Sequence, residues 1–136
     1  MPIDHGAAFP DNLAAQSYEL EYLSWQAANE PFSEKNLAYI RGINTLEDIR
    51  MLDRFLYFRP ICLRNVRIST TLLKMGAEAG LTVAKIGQIL CRPDDDDNEP
   101  SILEQIVLKA RQLADLKSKR LKGVINVRKT SQMIDE

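Results

Sequence analysis

Four consecutive aspartates, Asp94 to Asp97, stand between Pro93 and Pro100. Adjacent like charges repel one another out of compact structure, and a proline disfavours helical geometry in the residue before it. Residues 93–100 therefore read as an acidic linker. Whatever folds must do so in two stretches, a long one before the linker and a short one after it.

The punctuation of the first stretch is helical. Residues 1–10 read as a mobile tail. Asp11 is placed to cap a helix reaching Asn29, with Leu13, Leu20, Leu23 and Trp25 at apolar positions, and Pro31 stops it. Ser33 caps a short helix to Arg41, and Gly42 suits its C-terminal cap. Thr45 and Asp48 form a capping-box-like pair. The helix they open carries Leu46, Ile49, Leu52, Phe55 and Leu56 at helical spacing and ends by Arg59, because Pro60 follows. Residues 61–68 fit either a short strand or the start of a helix, and Ser69 to Ala79 reads as helix. After the linker, Ser101 and Glu104 make a capping box. The helix at 101–123 carries Leu103, Ile106, Val107, Ala110, Leu113 and Ala114 on one side, and Gly123 ends it. Residues 124–136 read as a tail. The expected fold class is all-α, with at most one short strand: a helical dimerisation region over 11–92, then a long C-terminal helix.

A chain of 136 residues with 45% apolar content can bury a core without disulfides or a structural metal. No run is apolar enough to span a bilayer, and MPIDHGAAFP lacks the basic head and apolar run of a secretory signal. The expected location is the cytoplasm, and no membrane partner is expected. The two cysteines, Cys62 and Cys91, show no zinc-ligand spacing and read as reduced thiols. The net charge of −1 hides a segregation. Residues 1–34 hold six acids and no Lys or Arg, whereas residues 35–92 hold ten basic residues and four acids. Separate basic segments suit a protein that meets a polyanion with one part of itself, or one whose charges are spread over solvated helix faces.

The stretch Leu72–Arg92 carries the strongest pattern. A helix-turn-helix needs a small residue late in its first helix, a glycine four residues on where φ turns positive, and apolar residues on the inner face of the second helix. Gly76, Gly80, and then Leu81, Val83, Ile86 and Ile89 meet these needs, within a unit at 69–92. Thr82, Ala84, Lys85, Gln88 and Arg92 are left to face outward. Gln reads adenine edges, and Lys or Arg meets guanine or phosphate. The bland alternative is an ordinary helical corner. Two further basic features fit phosphate or simple solvation. One is the series Arg50, Arg54, Arg59, Arg64 and Arg67, which has Glu47, Asp48 and Asp53 to pair with. The other is the last helix, including Lys117, Lys119, Arg120 and Lys122. Tyr57 and Phe58 read as core. No nucleophile–base pair or phosphate-cradling glycine loop is visible, and the single histidine, His5, lies in the tail. The aspartate run lacks the glycine and distal Glu of a calcium loop. No enzyme, metal or cofactor is expected.

Residues 18–44, YELEYLSWQAANEPFSEKNLAYIRGIN, resemble the N-terminal region of the D subunit of the flagellar master activator (FlhD). The match runs from Leu20, Tyr22 and Leu23, through Ala38 and Tyr39, to Gly42, Ile43 and Asn44. The Leu103–Leu116 helix is similar to that family's late helix. The resemblance implies a dimerising helical subunit that joins a zinc-containing, FlhC-like partner to activate transcription. It also implies that Cys62, though nearer to Asn44 than in the family, links two copies. Gly80-Leu81-Thr82 to Ile89, followed by 101–122, resembles regulators of the mercury-resistance type, whose winged DNA-binding part is missing here. The resulting expectation is a DNA-binding transcriptional regulator acting on double-stranded DNA with a second copy and an FlhC-like partner. Thr82, Lys85, Gln88, Arg92, Lys117, Lys119, Arg120 and Lys122 would meet DNA, and Leu20, Leu23, Trp25 and Cys62 would form the dimer interface. The alternative is a protein-interaction adaptor or antagonist that ignores DNA.

Overall fold

The computed structural model describes residues 9–15, 20–93 and 99–132, with residues 121–132 described by their backbone alone. The described fold is all-α. Five helices follow one another: α1 (Glu34–Gly42), α2 (Thr45–Leu56), α3 (Pro60–Glu78), α4 (Val83–Leu90) and α5 (Ile102–Gln132). The chain divides into two compact units, residues 1–103 and 104–136.

Helix starts follow local chemistry. The Ser33 hydroxyl accepts from the Asn36 N–H at 3.2 Å, as its position before the first apolar turn requires. At α2 the cap is Asn44, one residue earlier than the expected Thr45. Its side chain accepts from the Glu47 N–H at 3.4 Å and donates to the Glu47 carboxylate at 2.9 Å. The ambiguous stretch 61–68 is helical. Pro60 takes the first helical position of α3, where its fixed φ fits and its missing N–H costs nothing. Among the described residues the only pairing of extended chain is an isolated parallel bridge between Ala15 and Cys91.

Two expectations fail. No α-helix covers the described part of 11–29. Residues Glu21–Ser24 and Gln26–Asn29 form two short 3-10 turns. Ser24 donates its hydroxyl to the Glu21 carbonyl and Asn29 donates its amide to the Trp25 carbonyl, which offers the backbone an alternative to a continuous helix. The Asp11 carboxylate pairs with Arg59 at 3.0 Å. At the other end α5 does not stop at Gly123 but continues to Gln132, since one glycine in a helix costs only about 1 kcal/mol.

In the first unit α3 is the central element. Helices α1, α2 and α4 all pack on it, and α4 also packs on both 3-10 turns. The buried set is built of small side chains, including Ala14, Ala28, Ala77 and Ala84, together with Ile40, Leu63, Ile86 and Leu103. Many of the largest apolar side chains lie outside it. The second unit is the helix α5, with Ile106, Leu108, Leu113 and Leu116 exposed. No described helix is long and apolar enough to cross a membrane.

Candidate functional site

The α3–α4 corner has the backbone its sequence requires. Gly80 sits at φ +75°. Its N–H bonds the Ala77 carbonyl at 3.0 Å, and the Leu81 N–H bonds the Gly76 carbonyl at 2.9 Å. That pair of bonds closes the end of α3 in a Schellman motif. The Thr82 hydroxyl then caps α4 by accepting from the Lys85 N–H at 3.3 Å. A Cβ on Gly76 would lie 2.8 Å from two carbons of Ile86, so only glycine lets the two helices approach this closely.

The opposite side of α4 is covered as well. A Cβ on Gly87 would collide with Leu23 and would stand 3.1 Å from the Tyr22 hydroxyl. Ala84, expected to face outward, is only 1% exposed, and Thr82 is buried. A recognition helix needs one long free side to enter a groove. Here the 3-10 turns cover the Ala84–Gly87 side of α4, and of Thr82, Ala84, Lys85, Gln88 and Arg92 only Lys85 and Gln88 are exposed. Arg92 is half-buried, and its backbone N–H bonds the Ala15 carbonyl at 3.2 Å. Tyr22, pressed on α4, has its phenol pushed above its ordinary value by burial and, secondarily, by the neighbouring Cys91. Lys117, Lys119 and Arg120 are exposed on α5. The Lys122 side chain lies outside the described residues, as do His5 and residues 94–98 of the acidic linker.

The residues expected to form a dimer interface are scattered. Leu23 packs inside, on Gly87. Leu20 lines a cavity of about 810 Å³ together with Leu56, Cys62 and Leu90. Cys62 is buried, at 3% exposure. Trp25 alone stays in solvent, at 60% exposure. The segment from Phe9 to Ala15 crosses that cavity as a strap. Phe9 stacks on Phe58 with ring centroids 4.6 Å apart. The buried Asn65 amide nitrogen faces the carbonyls of Pro10, Asp11 and Asn12 at 3.1, 3.0 and 2.9 Å, while its oxygen accepts from Arg64.

A second recess, of about 570 Å³, lies between α1 and α3 and is lined by Ile40, Arg41, Lys74, Met75, Glu78 and Ala79. Its charges are already engaged. Arg41 makes two bonds to Glu78, at 2.5 and 3.3 Å. The hydrogen bond holds the Glu78 carboxyl below its ordinary value and raises that of Arg41. The Lys74 ammonium donates to the carbonyls of Arg41 and Ile43, closing the C-terminal end of α1. Among the described residues no cluster of His, Cys, Asp and Glu could hold a metal ion.

The feature that sequence reasoning missed is the α2–α3 corner. Phe55, Leu56 and Tyr57 are 65%, 62% and 86% exposed, and Met51 and Ile61 beside them are exposed too. Tyr57, read above as core, instead takes a left-handed conformation, φ 51°, and projects into solvent. Phe58 alone turns inward. The helical spacing of Phe55 and Leu56 signals burial in most sequences, so only the adjacency of three large apolar residues before Arg59-Pro60 could have raised the question.

No family model and no solved structure matches the chain. Curated relatives do. Phosphatidylinositol 4-kinase gamma 3 of Arabidopsis thaliana is 43% identical over 108 residues, 78% of this chain and 18% of the kinase. Phosphatidylinositol 4-kinase gamma 4 of Oryza sativa subsp. japonica is 44% identical over 93 residues, 68% of this chain and 16% of the kinase. The chain is similar to one stretch of plant phosphatidylinositol 4-kinases gamma. A third relative, gamma 6 of Arabidopsis thaliana, is 37% identical over 115 residues, 83% of the chain. The chain spans less than a fifth of the length of these relatives. The finding overturns the FlhD-like resemblance, and with it the expectations of transcriptional activation, DNA binding and an FlhC-like partner. The relatives are named for a lipid kinase activity, and long matches at such identity outweigh a likeness resting on scattered positions of residues 18–44. The mercury-resistance likeness falls for the same reason: its key turn is a packing corner.

Proposed function

We propose that this chain supplies one helical part of a phosphatidylinositol 4-kinase gamma-type protein, as scaffold, and does not transfer phosphate by itself. The observation that carries this reading is the similarity over most of the chain to a single stretch of much longer kinases. Phosphoryl transfer needs a phosphate cradle, carboxylates that hold metal ions and a group that orients the nucleophile. The matched stretch is under one fifth of the kinases' length. The small-residue core and the exposed apolar side chains of the first unit suit a part that works within something larger.

A segment exchange tests the reading. The matched stretch of Arabidopsis gamma 3 is replaced by the corresponding stretch of this chain, with the stretch deleted as the control. The exchanged kinase is expected to be soluble and to phosphorylate phosphatidylinositol, while the deletion and the 136-residue chain alone do not. A well-folded exchange product without activity, or turnover by the chain alone, overturns the proposal.

A further inference from the structure

Between Asp53 and Glu78 the sequence holds five basic residues (Arg54, Arg59, Arg64, Arg67 and Lys74) and no carboxylate. At the N-terminal end of that run lies the apolar corner of Phe55, Leu56 and Tyr57. These three adjacent large apolar side chains are each more than half exposed, although Leu56 and Tyr57 also border the cavity under the strap. Tyr57, the most exposed of the three, stands out from that rim, and Phe55 does not line the cavity. The left-handed Tyr57 sharpens the projection. The Arg54 guanidinium lies 5.4 Å from the centre of the Phe55 ring, so cation and aromatic ring emerge together. Arg59 is exposed just beyond the tip, and Asp11, its carboxylate partner among the described residues, is itself half open to water.

We propose that the α2–α3 corner is a membrane-docking tip. Phe55, Leu56 and Tyr57 enter the headgroup boundary of a bilayer, and Arg54 with Arg59 beside the corner meets anionic lipid. Aromatic and aliphatic side chains backed by basic ones have the composition of surfaces that lie in the interface of an anionic bilayer. The occupant is chosen on charge complementarity and on the lipid for which the relatives are named, so the inference rests on the reading above. Glu47 and Asp48 sit in the first turn of α2, away from the tip, and Asp53 is the only carboxylate in its last turn.

The test is cosedimentation of the 136-residue chain with vesicles of phosphatidylcholine alone and of phosphatidylcholine mixed with phosphatidylserine. Binding is expected to the mixed vesicles and to weaken as salt is raised. Phe55→Ser with Tyr57→Asn should weaken it about tenfold or more by removing two buried rings. Arg54→Gln should weaken it about fivefold. Both changed side chains of the double variant are exposed, and asparagine suits left-handed geometry, so its helical circular dichroism should match the parent. Absence of vesicle binding, or binding that these variants leave unchanged, overturns the tip. So does a result in which the double variant binds vesicles as the parent does but loses activity in the exchanged kinase, since the corner is then a protein interface. A failed vesicle assay beside an active exchange product removes the tip and leaves the scaffold reading standing.

Discussion

Gly76 and Gly87 look alike in the sequence, yet the two glycines of the α3–α4 corner differ in what surrounds them. Gly76 faces the Cγ1 and Cδ1 atoms of Ile86, a buried side chain with little room to shift. Gly76→Ala is therefore expected to destabilise the first unit by about 1–3 kcal/mol, read as a lower urea midpoint. Gly87 faces the tip of Leu23, which is only half-buried and can rotate away. There the gain of about 1 kcal/mol in helix propensity offsets much of the crowding, so Gly87→Ala should lie within about 1 kcal/mol of the parent. Equal losses at both positions would mean that Leu23 is held as firmly as Ile86. Asn65 gives a different kind of expectation. It faces three carbonyls with two N–H groups, so one side chain holds the middle of the strap over Cys62, between the Phe9–Phe58 stack and the backbone bonds of Ala15. Asn65→Ala should cost about 1–2 kcal/mol, because those exposed carbonyls regain water, and should speed labelling of Cys62 by a thiol reagent. Unchanged labelling would show that the strap is held elsewhere.

At the scale of elements, the chemistry of ends was legible and the chemistry of faces was not. Ser33, Thr82, Gly80 and Pro60 each act within a few residues, so their roles follow from short spacings. Thr82→Ala should cost about 1 kcal/mol as a lost cap, and Gly80→Ala a similar amount for its positive φ, both read as thermal shifts. What covers α4 depends on Tyr22 and Leu23, more than sixty positions away, and no local pattern announces such an arrangement. That is why a packing corner read as a recognition helix. The same distance explains the error at 11–29. Leu20 and Leu23 are apolar because they line a cavity and press on α4, and an extended strap or a 3-10 turn presents them as well as a helix does. At Tyr57 the sequence misleads for another reason: apolar character normally means burial, and here it marks an exposed corner.

For the whole molecule, two titrations act in opposite directions. Glu78 is held low by Arg41, so its contribution is present above the ordinary carboxylate range and is lost as pH falls through the lowered folded value. Both partners are exposed, so the effect on stability is small. Nuclear magnetic resonance should show Glu78 titrating at higher pH in Arg41→Gln than in the parent. Tyr22 behaves oppositely. Its phenol is raised in the fold, so its contribution is intact below pH 10.0, its ordinary value, and is lost as pH rises through the raised value. Alkaline unfolding should move to higher pH in Tyr22→Phe; an unchanged midpoint would remove Tyr22 as its cause. The carboxylate-free run from Arg54 to Ala77 has one more consequence, visible on a chromatography column. With a formal net charge of −1, the protein should pass a cation exchanger at neutral pH if its charges were evenly mixed. With five of its 18 cations on one carboxylate-free segment, it should be retained there and elute with salt, while also binding an anion exchanger through its acidic first quarter.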